Sequence, residues 1–424
     1  MSQVSTASVK ASATVRDRKG LWISLLFFYF VHPFLVNGLV AFSYAVTYGI
    51  PILYLLANPS YLRKLLGVLQ RREGVVFLVG FLLLMVWSVL TIALNNSNDW
   101  SFFWTIAGPF RTLIRYMFLV VVLLKMYPNS SIPYEERFMH YFILANVYYI
   151  GFTLLLAIFP SFKSFWLSFI YNERIDLFES YGYQNRVSID GFAGFRSTIA
   201  CSMGIIFCFY LSSKRRSTFY TLLAAVMLVG NFFYGRSGLV TSIVITALAA
   251  MWYRKINLRL ILTILIIVAF LVLLIRLLFA VNQDFSSTYE WATRPVVELL
   301  TTGTTESGSF ETMTHRMLWI PPAKTLAIGD GRFTDPVTHS YYMRTDLGFM
   351  RLSLFGGLPA CLIVYLSVLI GIWNISRHRR FLFVTISLLF AVFEFKGITW
   401  ISVLPFIIII AMTMNLNRST NSHT

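Results

Sequence analysis

Long apolar stretches separated by short polar links run through almost the whole chain. Most of them reach about 17–25 residues, the length that an α-helix needs to cross the hydrocarbon core of a bilayer. The strands of a membrane β-barrel would be about ten residues long and would alternate apolar with polar positions. The pattern therefore predicts an all-α polytopic membrane protein with about twelve transmembrane helices.

The predicted spans form a single transmembrane domain over residues 21–415, flanked by tails at 1–20 and 416–424. They lie at about 21–57 (two spans, broken near Pro33 to Asn37), 75–94, 110–127, 138–159, 194–212, 218–234, 237–253, 258–281, 346–373, 381–397 and 400–415. Pro109 suits the first turn of a helix. We therefore expect the fourth span to begin there and the aromatic segment from Trp100 to Phe110 to lie at the membrane interface.

Charge then orients the spans. The chain is 57% hydrophobic and only 12% charged, with a net charge of +17. Its cations lie mostly in alternate links rather than on one soluble face, which indicates membrane orientation and argues against nucleic-acid binding. The basic links contain Arg63, Lys64, Arg71 and Arg72; Lys214, Arg215 and Arg216; Arg254, Lys255 and Arg259; and Arg377, Arg379 and Arg380. The positive-inside rule predicts that both termini are cytoplasmic, an N-in/C-in topology.

Two links, at about 160–193 and 282–345, are too long to be simple connections, and both fall on the non-cytoplasmic side of this topology. Loops of this length in a compact protein are usually functional or disordered. The second loop contains Gly329-Asp330-Gly331, a pattern typical of a tight turn.

Five arginines lie in or beside the spans, toward the same non-cytoplasmic end. They are Arg111, Arg115, Arg196, Arg236 and Arg351. Each taken alone could be an interfacial anchor whose guanidinium reaches water, but their clustering favours a binding site. The guanidinium fork binds phosphate oxygens bidentately. The cluster therefore suits a lipid-linked pyrophosphate, whose charge as a leaving group it could stabilise without a metal.

The second long loop also supplies candidates for proton transfer. His339 could take the proton of an attacking sugar hydroxyl, or it could simply form hydrogen bonds. Asp346 and Glu394 are weaker candidates for the base, and Asp346 could instead cap the helix that follows. His32 and His140 lie in or beside apolar runs, so we expect them to be structural. No spacing typical of metal ligands is present, so no metal or other cofactor is predicted.

The order of these features resembles the O-antigen polymerase and ligase superfamily of bacterial membrane glycosyltransferases. The residues that carry the resemblance are Arg236-Ser237-Gly238, Arg316, Trp319, Gly329, Gly331, His339, Gly348, Gly356 and Gly357. Asp346, Gly348, Phe349 and Arg351 are similar to a polymerase pattern. Ser340 stands where ligases more often have Asn, which also favours the polymerase.

The resemblance implies a GT-C-like, metal-independent enzyme of the inner membrane, with Arg236, Arg316 and His339 catalytic at the periplasmic face. Its substrate would be an undecaprenyl-pyrophosphate-linked oligosaccharide used in lipopolysaccharide or related polysaccharide biosynthesis. Arg111, Arg115, Arg196 and Arg351 would bind the pyrophosphate, with membrane lipids as neighbours; whether a chain-length regulator takes part stays open. We expect Arg236, Arg316 and His339 to surround one cavity.

Two alternatives remain. The first is an O-antigen ligase that transfers the glycan to lipid A–core. The second, from another class, is a flippase or transporter of lipid-linked sugars. Such a protein would more naturally carry charges at mid-bilayer in several helices, and the sequence shows none of the paired, interrupted helices that mark inverted-repeat transporters.

Overall fold

The computed structural model describes residues 18–67, 72–128, 130–171, 188–189, 191, 194–252, 273, 276–280, 289–290, 293, 297, 301, 316–338, 340–376 and 379–421. These residues are almost all helical, and they contain two isolated β-bridges but no strand. The all-α class predicted from the apolar pattern is confirmed.

The helices of this part of the chain are numbered in order. They are α1 (Arg18–Val31), α2 (Val40–Tyr44), α3 (Ile50–Leu56), α4 (Pro59–Leu66), α5 (Arg72–Asn95), α6 (Ser101–Met126), α7 (Tyr134–Ile158), α8 (Pro160–Phe169), α9 (Phe195–Arg215), α10 (Thr218–Tyr234), α11 (Arg236–Trp252), α12 (Ala323–Ile328), α13 (Gly348–Ser376), α14 (Arg380–Glu394) and α15 (Trp400–Asn421). A π-helical turn, Ala45–Gly49, joins α2 to α3, and a 3-10 turn, Tyr342–Arg344, precedes α13.

Several of these helices can cross a membrane. Within the described ranges, five are long and apolar enough: Leu78–Asn95, Ser101–Met126, Tyr134–Ile158, Phe195–Arg215 and Gly348–Asn374. A sixth span results if Val40–Leu56 and Pro59–Leu66, bent by 95°, are counted together. Shorter apolar helices are Lys19–Val31, Thr218–Tyr234, Arg236–Trp252 and Trp400–Leu416. The chain is a multi-pass membrane protein; the count of twelve stays a prediction, and most of its ninth span, about 258–281, lies outside the described residues.

The predicted start of the fourth span is wrong. Helix α6 begins at Ser101 and continues through Pro109, so the segment from Trp100 to Phe110 is mostly helical. The Asp99 carboxylate accepts the Ser101 backbone N–H at 2.9 Å, which satisfies one of the free donors of the first turn. Phe102 packs on the ring of Phe355, with centroids 4.1 Å apart. These contacts stabilise the first turns of α6, although Pro109 has no backbone N–H to donate to the helix.

Helix α15 continues to Asn421, so residues 416–421 of the predicted C-terminal tail are helical. At the other terminus, residues 1–17 of the predicted tail lie outside the described residues.

Helix α13 is broken at Gly357, which has φ 66° and ψ −168°. Pro359 has no N–H to donate to the Phe355 carbonyl, so the helical bond at that position cannot form. The backbone N–H groups of Asp330 and Gly331 instead reach carbonyls of the last turn before the break, at 2.7 and 3.0 Å. A loop segment thus completes the hydrogen bonding of a discontinuous membrane helix, an interruption that the sequence analysis missed.

One end of the bundle is held by buried carboxylates. Glu136 pairs with Lys214 at 2.5 Å and with Arg215 at 3.0 Å, and Glu135 pairs with Arg379 at 3.2 Å. These cations belong to links that the positive-inside rule assigns to the same side of the membrane. The fold brings these links together at one end, where α7 and α14 begin and α9 terminates.

Candidate anion-binding cavity

A cavity of about 240 Å³ lies at the other end of the bundle. Its walls come from the end of α1, the first half of α6, the start of α9, the start of α15 and the π-helical turn. The residues that line it are Val31, His32, Tyr48, Gly108, Arg111, Thr112, Arg115, Tyr116, Arg196, Ile199, Ala200, Ile401, Ser402 and Phe406. Three arginines therefore surround one space, and no carboxylate belongs to the part of the lining that the structure describes.

Arg115 is the deepest of the three arginines, with only 1% of its surface exposed. Its Nη1 donates to the Phe30 carbonyl at 2.8 Å, and its Nη2 donates to Thr112 Oγ1 at 3.2 Å. The guanidinium lies 5.7 Å from the ring centroid of Tyr48. Its Nε has no hydrogen-bond partner among the described residues. A buried cation without an opposite charge is costly, so this position favours a bound anion.

Arg111 and Arg196 also line the cavity, but both are exposed. Arg111 precedes Arg115 by about one helical turn and therefore shares its face of α6. Arg196 comes from the first turn of α9, and its Nη2 donates to the Val31 carbonyl at 3.2 Å. The three guanidinium groups thus approach the cavity from two helices and at different depths.

His32, which the sequence analysis treated as structural, also lines this cavity. Its Nε2 lies 3.2 Å from Asn146 Oδ1. Asn146 Nδ2 donates to the Phe142 carbonyl at 2.9 Å, so the amide oxygen faces the imidazole, and this network assigns the proton to Nε2. The ring stacks on Tyr149 with centroids 4.0 Å apart. The predicted break near Pro33 was the sequence signal that could have drawn attention to it.

Two of the three predicted catalytic residues, Arg236 and Arg316, do not line this cavity. Arg236 begins α11 at the same end of the bundle as Arg196. The backbone of Gly235 approaches α9 closely there, since an added Cβ would lie 3.0 Å from Thr198 Oγ1. Arg316 is exposed in the second long loop. His339 lies outside the described residues. The expected common cavity for these three therefore stays a prediction.

Arg351, assigned by prediction to the pyrophosphate, lies in different surroundings. Its guanidinium is 4.1 Å from the ring centroid of Phe333 and 4.0 Å from that of Tyr341. An isolated bridge between Thr334 and Tyr341 closes the small hairpin that leads back to α13. Cation–π contacts of this kind attach the hairpin to the first turn of the helix. Arg351 is not among the residues that line the arginine cavity.

The turn before this hairpin rests on the link between α5 and α6. Both Gly329 and Gly331 have positive φ, 76° and 66°, as the glycine pattern predicts. Asn95 donates to the Gly329 carbonyl at 3.1 Å, and Ser97 donates to the Gly331 carbonyl at 2.6 Å. The side chains of this link therefore determine where the loop lies.

Asp99 is the central residue of this attachment, and the sequence analysis did not identify it. Its Oδ2 accepts the backbone N–H groups of Phe333 at 2.7 Å and Thr334 at 2.9 Å. Partial burial acts to raise the pKa of this carboxyl, but hydrogen bonds from Ser101, Thr334 and Phe333 outweigh it and hold the pKa below its ordinary value. Asp99 is therefore ionised at neutral pH and holds the start of the hairpin.

Asp346 precedes α13, but no hydrogen bond joins its carboxylate to the described N–H groups of that helix, so the predicted cap is not seen. Burial raises the pKa of this carboxyl, and the charges of Arg351 and Lys396 act in the opposite direction. A different carboxylate caps a helix beside the cavity. Glu394 Oε2 accepts the backbone N–H of Thr399 at 2.7 Å and that of Trp400 at 3.3 Å. It thereby satisfies donors at the start of α15, whose first turn contributes Ser402 to the cavity.

Within the described residues, no three His, Cys, Asp or Glu side chains are grouped closely enough to hold a metal ion. Comparison with family models, with curated proteins and with solved structures finds no match to this chain. The family resemblance thus stays an expectation that only the sequence supports.

Proposed function

We propose that this protein is a membrane glycosyltransferase of the O-antigen polymerase type. It would join undecaprenyl-pyrophosphate-linked repeat units at the periplasmic face of the bacterial inner membrane. The observation that supports this function best is the cavity in which Arg111, Arg115 and Arg196 meet. Three arginines surround this space, and no carboxylate belongs to the described part of its lining. This excess of positive charge suits a diphosphate.

In this reaction an acceptor hydroxyl attacks the anomeric carbon of the donor sugar while the bond to the diphosphate oxygen breaks. The hydroxyl proton passes to a general base, for which His339 remains the predicted residue. Negative charge develops on the departing diphosphate, where the arginines stabilise it. Removal of one preorganised donor of this kind typically lowers the rate about 10²–10³-fold, and removal of a general base about 10²–10⁴-fold.

We also propose the finer topology: about twelve spans, N-in/C-in and GT-C-like, with the cavity opening to the periplasm. The positions of the charged groups support it. The basic links pair with Glu135 and Glu136 at one end of the bundle, and the arginine cavity lies at the other.

The test uses purified protein in liposomes with a radiolabelled lipid-linked repeat unit. We expect the wild type to form a ladder of longer lipid-linked products and Arg115→Met to lose about 10²–10³-fold in rate. Arg63→Met is the matched control, because Arg63 is exposed on α4 and lies outside the cavity lining. Ladder formation by Arg115→Met at the wild-type rate would show that the cavity is not the reaction site.

The same preparation separates the alternatives. A ligase would move the label onto lipid A–core only when that acceptor is added, and it would not lengthen the lipid-linked product. A flippase or transporter would move the label across the bilayer without forming any new glycosidic bond. Either result would contradict the polymerase.

A further inference from the structure

One wall of the arginine cavity lies at the periphery of the protein. Tyr48, which lines the cavity, belongs to the π-helical turn between α2 and α3. The neighbouring side chains point outward, with Phe42 exposed by 65%, Leu53 by 67% and Leu56 by 63%. In a membrane protein, such an exposed apolar face contacts lipid chains. The cationic cavity is therefore separated from lipid by the segment that carries Tyr48, and π-helical turns occur frequently at functional sites.

Helix α6 leaves an open notch in this same wall. Gly108 lines the cavity about one turn before Arg111 and two turns before Arg115. A Cβ atom placed on Gly108 would meet no atom within 4 Å. Trp104, one turn earlier on the same face, is 74% exposed. The open space over Gly108 thus lies on α6 between the arginines and the exposed ring of Trp104.

We infer that the cavity binds a lipid diphosphate whose hydrocarbon chain leaves across Gly108, between α6 and the Tyr48 turn, into the bilayer. This inference rests on the proposed diphosphate site and adds the route of the chain. The arginines hold the charged group, and Gly108 of α6 and Tyr48 of the π-helical turn both line the same cavity. A hydrocarbon chain that follows this route stays out of water along its whole length, which favours its binding in proportion to the apolar area covered.

The experiment measures the binding of inorganic pyrophosphate and of farnesyl diphosphate to the purified full-length protein. Both ligands carry the diphosphate, but only farnesyl diphosphate carries a hydrocarbon chain. Gly108→Trp should fill the notch. We expect it to weaken the binding of farnesyl diphosphate at least about tenfold more than that of inorganic pyrophosphate, because contacts of several methylene groups are lost.

Gly151→Trp is the matched control. Gly151 lies within α7, is exposed, and also has no atom within 4 Å of an added Cβ, but it is not part of the cavity lining. The Gly151→Trp variant should bind both ligands like the wild type.

Retained binding of pyrophosphate shows that Gly108→Trp is folded. If that binding is lost, the smaller Gly108→Leu takes its place, with the same expected difference between the two ligands.

The outcomes separate this inference from the proposed function. Wild-type affinity of Gly108→Trp or Gly108→Leu for both ligands would overturn the chain route and leave the diphosphate site intact. Equal weakening of farnesyl diphosphate binding by Gly108→Trp and Gly151→Trp would also overturn it. Arg115→Met should lose both ligands; if it binds both normally, the diphosphate site itself is refuted, and the chain route with it.

Discussion

Arg111 and Arg115 illustrate how much a single turn of helix changes the role of a residue. Both lie on one face of α6 and both line the cavity, yet Arg111 is exposed and Arg115 is 1% exposed. An exposed guanidinium is stabilised by water and contributes mainly to attraction of an anion. A buried one whose Nε has no partner among the described residues contributes a strong, directional interaction once the anion is present. We therefore expect Arg115 to dominate affinity.

The first prediction concerns Asp99, which holds the start of the hairpin through the N–H groups of Phe333 and Thr334. Asn offers one acceptor oxygen and turns an NH₂ group toward the remaining donors. Asp99→Asn should lower the free energy of unfolding at pH 7 by about 1.5–3 kcal/mol, the range for hydrogen bonds to charged groups. Thermal unfolding of the purified protein measures the difference.

The pH dependence of this effect has a definite sign. Because the pKa of Asp99 is lowered in the fold, its stabilisation is complete above the ordinary carboxyl pKa of about 4. It is lost as pH falls through the lower folded pKa. The difference between wild type and Asp99→Asn should narrow on acidification. Asp335→Asn is the control, because this exposed carboxylate accepts bonds from its own turn; an equal loss of stability there would contradict the assignment.

At the scale of the element, α13 shows why a membrane helix can break without loss of hydrogen bonds. The carbonyls freed by Gly357 and Pro359 accept N–H groups from the neighbouring loop, and Trp87 Nε1 donates to the Gly356 carbonyl at 2.6 Å. Each unpaired group in the hydrocarbon region would be costly. The break and the Gly329-Asp330-Gly331 turn therefore depend on each other.

The second prediction tests this dependence. Gly357→Ala places a Cβ at a backbone position with φ 66°, and this atom would lie 2.8 Å from the Leu326 carbonyl oxygen. We expect destabilisation by about 1–3 kcal/mol, the usual cost of such backbone strain. Thermal unfolding in one detergent measures it.

Gly151→Ala should have the opposite sign. It adds a methyl group in open space within a regular helix, where Ala is favoured over Gly by about 0.5–1 kcal/mol. If both substitutions shifted the unfolding temperature in the same direction, the special conformation of Gly357 would not control stability.

At the scale of the whole molecule, charged groups mark the two ends differently. Glu136 and its partners Lys214 and Arg215 form compact ion pairs at one end. At the other end, the arginines of the cavity face one another without a described carboxylate. Like charges gathered in this way destabilise the fold unless an anion binds, so this arrangement is expected of a binding site.

The third prediction concerns sidedness. With Cys201, Cys208 and Cys361 replaced, a membrane-impermeant thiol reagent added to spheroplasts should label Val337→Cys, whose position is 85% exposed in the second long loop. It should label Arg63→Cys only after the membrane is permeabilised, because Arg63 belongs to a link that the charge rule assigns to the cytoplasm. The reverse pattern would place the N-terminus outside and the cavity on the cytoplasmic side.

The sequence by itself determined the helical class, the membrane-spanning character of the chain and the approximate positions of most helices. Within a bilayer, long apolar stretches can pair all their backbone N–H and C=O groups only as helices. The break near Pro33 is present, since α1 ends at Val31 and α2 begins at Val40. The start of α6 was not predictable in the same way. Local sequence preference placed the start of the helix at Pro109. The packing of Phe102 and the hydrogen bond of Asp99 instead stabilise a start at Ser101.

The tertiary structure decided which charged residues share a site. Arg111 and Arg115 could be paired from helical spacing alone, but Arg196 joins them only because α9 packs against α7, which also packs against α1 and α6. His32 and Gly108 enter the same cavity for this reason, while Arg351 is held by aromatic rings elsewhere. Periodicity determines the face of a helix on which a residue lies. Which helices pack together depends on contacts between residues that are distant in sequence, and no local pattern predicts these contacts.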